Sequence, residues 1–380
     1  MAGNPTTRPL TVKLNYRDVL RSHASTHRAA IDKEYVINPS QPLVGEPKRN
    51  GVVFWSRKTA LAILGTLVTL ALVGACYQAI QTKVDLRRFP PRGRFVDLGG
   101  YKLDINCTGH GSPTVILESE LGGLALSWQR VQSGIEKFTR VCSYDRAGYG
   151  WSNSGPMPRT SGQIVQELHM LLQRAGEKPP YVLVGHSLGG FNVRVFNGQY
   201  RNEVAGMVLV DASHEDQVRD LPSGVRERWD NSVKDVQRQR EFNAVLTWLG
   251  VTRLMTRNRN QETLHLDLQP KFVNAVRSEF ENFDKSAEQV RAAGTLGDKP
   301  LIVLTAGKDN TNVVSLPKGF SRQDYEASHQ LFEELQVQEV HLSTRGKQII
   351  ISDSGHLIPI ERPDAVVSAV REVWEAARNF

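Results

Sequence analysis

Residues 59–80, TALAILGTLVTLALVGACYQAI, run for 22 positions without a charge. A helix needs about 20 apolar residues to cross the roughly 30 Å hydrocarbon core of a bilayer. Arg57 and Lys58 precede the run, and Lys83, Arg87 and Arg88 follow it. The pattern predicts a single transmembrane helix. Before it, residues 1–58 mix Pro, Asn, Ser, Thr and charge with little period, which predicts a basic, largely disordered tail with at most a short helix over 16–21. Residues 83–93 read as a basic, Pro-containing linker.

From residue 94 the period changes. Short apolar runs alternate with stretches of helical spacing, the mark of an α/β domain over 94–380. Strands are expected at 94–98 and 101–107, turning at Gly99-Gly100, then at 113–118, 140–144, 181–185, 205–210, 300–305 and 347–352. Helices are expected at 127–138, 160–175, 188–196, 324–336 and 363–377. On one of them Ile164, Leu168, Leu171 and Leu172 fall on a single face. The runs at 181–185, 205–210 and 300–305 are continuously apolar, as in parallel strands buried on both sides. The fold class is therefore α/β, with eight mostly parallel strands and helices on both faces. Between the sixth and seventh strands, residues 214–296 form a charged, helix-prone insertion with an apolar stripe at Val245, Trp248, Leu249 and Leu254. An insertion of this length at the carboxyl end of a strand predicts a helical lid.

Charge and cysteine content narrow the picture. The net charge is +7. Residues 1–58 carry ten Lys/Arg against four Asp/Glu, so +6 of the excess lies there and the body is nearly neutral. That argues against nucleic acid as a partner of the body and allows attraction of the tail to anionic lipid. Because both flanks of the apolar segment are basic, the side on which the domain lies stays open. Cys76 sits in the apolar segment, so at most Cys107 and Cys142 can pair; two reduced buried thiols are the alternative.

The chemistry centres on Gly185-His186-Ser187-Leu188-Gly189, between an apolar strand and a helix start. G-x-S-x-G in that setting is a nucleophile elbow: a sharp turn projects the serine hydroxyl, and the glycines let strand and helix pass closely. A serine needs a base in reach and a carboxylate to orient that base. His356, in the loop after the last strand, is the candidate base. Asp309, after the seventh strand, is the first choice for the acid, and Asp211, after the sixth, is the alternative. The oxyanion requires two backbone N–H donors. Leu188 supplies one, and the loop Ser119-Glu120-Leu121-Gly122-Gly123 supplies the other, with Leu121 favoured. Asp145-Arg146 reads as a structural ion pair at a tight glycine turn. His214-Glu215-Asp216 lacks a second ligand group for a metal, and the chemistry calls for no metal or organic cofactor.

The segments Thr139–Gly148, Tyr181–Gly190, Val208–Asp216 and Ser354–Pro363 resemble the α/β-hydrolase superfamily, closest to its bacterial esterase-like branch. The resemblance covers about 94–378 and implies Ser187, Asp309 and His356 as a catalytic triad. It departs at Glu120, where the family usually has glycine. A carboxylate there either repels developing negative charge or points away and leaves the backbone donors intact. The expected protein is a single-pass membrane-anchored serine hydrolase. Its substrate would be a small ester or acyl compound, hydrophobic ones included, and membrane lipid would be its partner through the apolar span. Carbon–carbon bond hydrolysis, acyl transfer or perhydrolysis by the same triad, and a low-turnover ligand sensor, are the alternatives.

Overall fold

The computed structural model describes residues 57–256, 266–267, 269–308 and 319–378. The short helix expected at 16–21 lies outside them. The apolar segment is part of helix α1, Arg57–Arg88, which continues through half of the stretch expected as linker. No Gly or Pro interrupts residues 75–89, and Pro90-Pro91 then ends the helix, because the residue before a proline is pushed out of the α region.

Eight strands follow: β1 Arg94–Asp97, β2 Lys102–Thr108, β3 Thr114–Glu118, β4 Val141–Tyr144, β5 Tyr181–His186, β6 Val204–Val210, β7 Leu301–Ala306 and β8 Gly346–Ile351. They form one sheet in the order β1-β2-β4-β3-β5-β6-β7-β8. β2 is antiparallel to both of its neighbours, and every pairing from β4 to β8 is parallel. The helices of this sheet are α2 Gln129–Ile135, α3 Ser161–Ala175, α4 Leu188–Gln199, α9 Arg322–Val340, α10 Ile358–Glu361 and α11 Pro363–Arg378. The eight strands and these helices, apart from α10, which was not expected, fall within a residue or two of the expected positions at most boundaries, where helix ends are in any case loosely set by sequence. The largest differences are at α2, α4 and α9.

The central strands are buried on both faces, which is why they read as unbroken apolar runs. In β5, Tyr181 and Leu183 pack into the core beneath α3 and α4, while Val182 and Val184 pack into the core beneath α2 and α11. β6 repeats the alternation, with Met207 and Leu209 on one side and Val208 and Val210 on the other.

Among the described residues, the stretch between β6 and β7 includes the helices α5 Ser223–Trp248, α6 Val251–Met255, α7 Pro270–Glu281 and α8 Phe283–Ala292. Val245, Trp248 and Leu254 of the apolar stripe are 57%, 59% and 63% exposed, so this stripe does not pack down onto the domain. α7 and α8 instead supply the inward contacts, through Ala275, Val276, Ala287 and Val290.

Cys107 and Cys142 stand opposite each other across the β2–β4 pair and are joined as a disulfide. The link closes a loop with a sequence separation of 35. Replacing both cysteines by serine is expected to lower unfolding free energy by about 2–4 kcal/mol, the range for closing a loop of this size. Denaturant titration of the detergent-solubilised protein, with and without reductant, measures it.

Candidate active site

Two of the few strained backbone positions of the chain meet at the carboxyl edge of the sheet. Ser187 has φ 53° and ψ −122°, between the end of β5 and the first residue of α4. Asp211, at the end of β6, has φ 42°. These are the only non-glycine residues with positive φ among the described residues. Such conformations cost about 1–3 kcal/mol each and persist where the surroundings impose them. At Ser187 the surroundings are tight: a Cβ on Gly185 would lie 2.5 Å from the Gly189 carbonyl oxygen, and one on Gly189 would lie 2.5 Å from that of Glu118. The Ser187 N–H donates to the Val210 carbonyl at 3.1 Å, and the Ser213 N–H donates to the Ser187 carbonyl at 3.0 Å. The turn after β5 is thus fastened to the turn after β6.

His356 arrives from the loop after β8. Its Nδ1 lies 2.6 Å from Asp211 Oδ2. Asp211 is almost fully buried, and its other oxygen accepts from the Ala306 N–H and from the Gln336 side-chain amide, each at 2.9 Å. Burial alone would raise the Asp211 pKa, but the His356 hydrogen bond and charge, with the Ala306 and Gln336 donors, hold it below 3.8. Burial likewise pulls the His356 pKa down, and the bond to Asp211, the Asp211 charge and the Glu120 charge outweigh it and raise it above 6.5. The carboxylate on the imidazole is therefore that of Asp211, the alternative candidate. Asp309, the first choice, lies outside the described residues.

The loop after β3 is fixed by a buried guanidinium. Arg146 donates through Nη1 to the Ser119 carbonyl at 2.7 Å and through Nη2 to the Glu120 carbonyl at 2.8 Å. The same group pairs with Glu118 at 2.9 Å and with Glu279 of α7 at 3.0 Å. Its partners are these two, not its neighbour Asp145, which accepts from the backbone of Ala125 and Trp151. With the carbonyls of 119 and 120 turned to Arg146, the Gly122 N–H goes to the Tyr149 hydroxyl and the Gly123 N–H to the Glu120 carbonyl. The Leu121 N–H takes part in none of these bonds. Leu121, Ser187 and Leu188 all line one cavity of about 280 Å³, with Phe280 and Phe283 also in its wall. Leu188 opens α4, so its N–H also carries the positive end of the helix dipole.

The Glu120 side chain turns inward rather than toward that cavity. Its Oε2 lies 3.1 Å from His186 Nδ1, and His186 Nε2 lies 2.7 Å from the His356 carbonyl oxygen. The carboxylate folds over Gly123, where an added Cβ would fall 2.3 Å from it. Burial opposes its charge, but the His186 hydrogen bond and charge, with Arg146 beyond, keep the Glu120 pKa below 4.5. One chain of contacts therefore links the loop after β3, the residue before Ser187 and the loop that carries His356.

A second cavity of about 400 Å³ lies on the other side of Gln217 and Val218, which line both; His356, Phe320, Tyr325 and Phe332 form part of its wall. Among the described residues the one cluster with metal-ligand spacing is Cys107, Cys142 and Glu177. Its sulfurs are bonded to each other and Glu177 is held by Arg140 at 2.6 and 2.7 Å, so it offers no ligand set. Glu215, from the acidic run after β6, is taken by Arg194, and Asp216 by Arg291.

Residues 109–369 match the model of the alpha/beta hydrolase family, and the chain belongs to that family. It is similar to the probable transporter efuK of Hormonema carpetanum, 23% identical over 311 residues that make up 75% of this chain and 43% of that protein. The chain thus spans less than half of that relative. It is 25% identical over 270 residues to the uncharacterized protein YqjL of Bacillus subtilis, covering 71% of this chain and 86% of YqjL. Among solved structures, a thermophilic esterase from Thermogutta terrifontis aligns over 75% of this chain and 98% of its own, with TM-score 0.52 and 23% identity. At that identity the likeness concerns the fold.

Because the Glu120 charge helps to keep the imidazolium of His356 protonated, Glu120→Gln is expected to lower the His356 pKa. Histidine-labelled NMR titration reads the shift directly, and an unchanged or raised midpoint would contradict the placement of the carboxylate.

Proposed function

We propose that the chain is a membrane-anchored serine hydrolase of carboxylic esters, with Ser187 as nucleophile, His356 as base and Asp211 as the orienting acid. The observation that carries this reading is the 2.6 Å contact of Asp211 with His356 Nδ1 at the sheet edge where Ser187 is held in its strained turn. With Nδ1 so engaged, Nε2 is the nitrogen that takes the hydroxyl proton. The Ser187 oxygen attacks the ester carbonyl, and the charge on the former carbonyl oxygen is met by the N–H groups of Leu188 and Leu121. His356 returns the proton to the leaving alcohol. Water, deprotonated by the same ring, then attacks the acyl-serine and releases the acid. Asp211 holds the tautomer and balances the imidazolium without itself taking the proton.

The two cavities on either side of Gln217 and Val218 suit an acyl group and an alcohol, and their aromatic walls favour apolar ones. The insertion between β6 and β7 acts as the lid, with Glu279 tying it to Arg146 and so to the loop after β3. The inward turn of Glu120 removes the reason to read the site as a sensor of little turnover, since the carboxylate lies against His186 instead of facing the oxyanion. Segment 59–80 is the anchor. Disulfides are rare where thiols are kept reduced, so the Cys107–Cys142 link favours the catalytic domain on the oxidising side of the membrane and the basic tail on the other.

Ser187→Ala is expected to cut turnover of short p-nitrophenyl esters by about 10⁴-fold or more, and to abolish labelling by a fluorophosphonate while circular dichroism stays unchanged. Asp211→Asn is expected to cost about 10³- to 10⁴-fold and Asp309→Asn less than about tenfold. The reverse order would move the acid to residue 309.

A further inference from the structure

Helix α1 changes character along its length. From Leu61 to Leu70 every residue is exposed. From Ala71 onward one face is covered, at Ala71, Gly74, Ala75, Gln78, Gln81, Thr82 and Asp85, the i, i+3, i+4 spacing of a packed stripe. What covers it is the turn between α5 and α6. A Cβ on Gly74 would lie 2.2 Å from the Leu249 carbonyl oxygen, and one on Gly250 would lie 3.0 Å from the Gly74 carbonyl oxygen and from the Tyr77 ring. Arg253 of α6 donates to Gln78 at 3.1 Å and pairs with Asp85, all three side chains being buried.

This contact fixes a depth. Counting about 20 residues at 1.5 Å each from the start of the charge-free segment places the far edge of a 30 Å core near Gln78. Gly74 lies inside that edge. The turn packed against it, Leu249-Gly250, is then carried to the boundary between headgroups and acyl chains. The residues around the turn have the composition that such a boundary demands. Phe242, Val245 and Trp248, on one side of the last two turns of α5, are 63%, 57% and 59% exposed, and Leu254 and Met255 at the end of α6 are 63% and 77% exposed. Outside α1, no other stretch among the described residues gathers large exposed apolar side chains so densely. Lys83, Arg87 and Arg88, exposed on α1 just beyond the edge, supply the cations that lipid phosphates attract.

We propose that the apolar face formed by Phe242, Val245, Trp248, Leu254 and Met255 is a membrane-docking surface, and that its partner is the bilayer in which α1 stands. The face enters the acyl-chain boundary beside the span, with Trp248 at the level where amphipathic rings concentrate. A cavity of about 370 Å³ lies under this turn, with Thr247 and Thr252 in its wall together with Gly122 of the loop after β3. The docked turn and the active-site loop thus share one void. The proposal rests on reading α1 as a span. It does not depend on the role given to Ser187.

The test uses the full-length protein with Cys76 replaced by serine, reconstituted in vesicles of phosphatidylcholine with phosphatidylglycerol. Single cysteines replace Leu67, Val245, Trp248 or Glu372 and carry an environment-sensitive fluorophore. Quenching by a lipid-borne nitroxide is compared with quenching by aqueous iodide. Probes at 245 and 248 are expected to behave like the probe at 67, with at least about fivefold stronger quenching by the nitroxide than the probe at 372. If 245 and 248 follow 372 while 67 follows the lipid, docking is overturned and the span stands. If 67 itself follows iodide, both are overturned. Probes at 245 and 248 shielded from both quenchers would mean that protein, such as a second copy of this chain, covers the face, and that also overturns the proposal. Ester turnover measured on the same vesicles reports separately on the hydrolase reading.

Discussion

The guanidinium of Arg146 has almost no exposed surface, yet it holds the end of β3 through Glu118, the following loop through two carbonyls, and the insertion through Glu279. A buried charge of this kind is costly unless it is fully paired, and removing one partner from such a group costs about 3–5 kcal/mol. The pairing therefore fixes the loop after β3 in one shape. In that shape the Gly122 and Gly123 amides are bonded within the fold, and Leu121 lines the cavity that Ser187 and Leu188 also line. The strained turns at Ser187 and Asp211 are held beside it by backbone bonds between the two turns, and by glycines where α4 passes β3.

Much of the framework was legible from the chain alone. Strands buried on both faces leave long apolar runs, and β5, β6 and β7 were found from these. The sharp strand-to-helix turn at Ser187 was legible from glycines two residues to either side, because the close passage of helix and strand excludes a Cβ there. The place of His356 beside the carboxyl end of β6 was legible from its position after the last strand. The carboxylate on the imidazole was harder to read for a physical reason. Asp211 and Asp309 each follow one of two adjacent parallel strands in the sequence, so local pattern offers both, and Asp309 lies outside the described residues. The contact of Asp211 with His356 depends on the left-handed backbone at Asp211 and on Gln336, 125 residues away. Neither leaves a mark in local sequence. The partners of Arg146 were hidden likewise, although a carboxylate at the end of the apolar run 113–118 was a sign that something charged met it.

Glu120 illustrates a different limit. A carboxylate in a loop expected to face an oxyanion invites the expectation of repulsion, and sequence offers both outcomes. The fold selects one by bringing His186 within reach on the neighbouring strand and by leaving room over Gly123, where no side chain competes. The exposed stripe of the insertion is the converse case. Helical spacing announced an apolar face correctly, but periodicity says only that a face exists, not what lies against it.

The salt bridge between Asp85 and Arg253 bears on how this molecule is handled. A chain shortened to begin within or beyond the basic stretch after the apolar segment loses Gly74 and Gln78, and, if cut later, Asp85 too. Arg253 would then lose partners inside the folded domain, and the turn it secures would lose its footing. A trimmed protein made for convenience in water would differ from the intact one at the very place where helix and insertion are joined, so measurements taken from it describe a molecule with a loosened insertion.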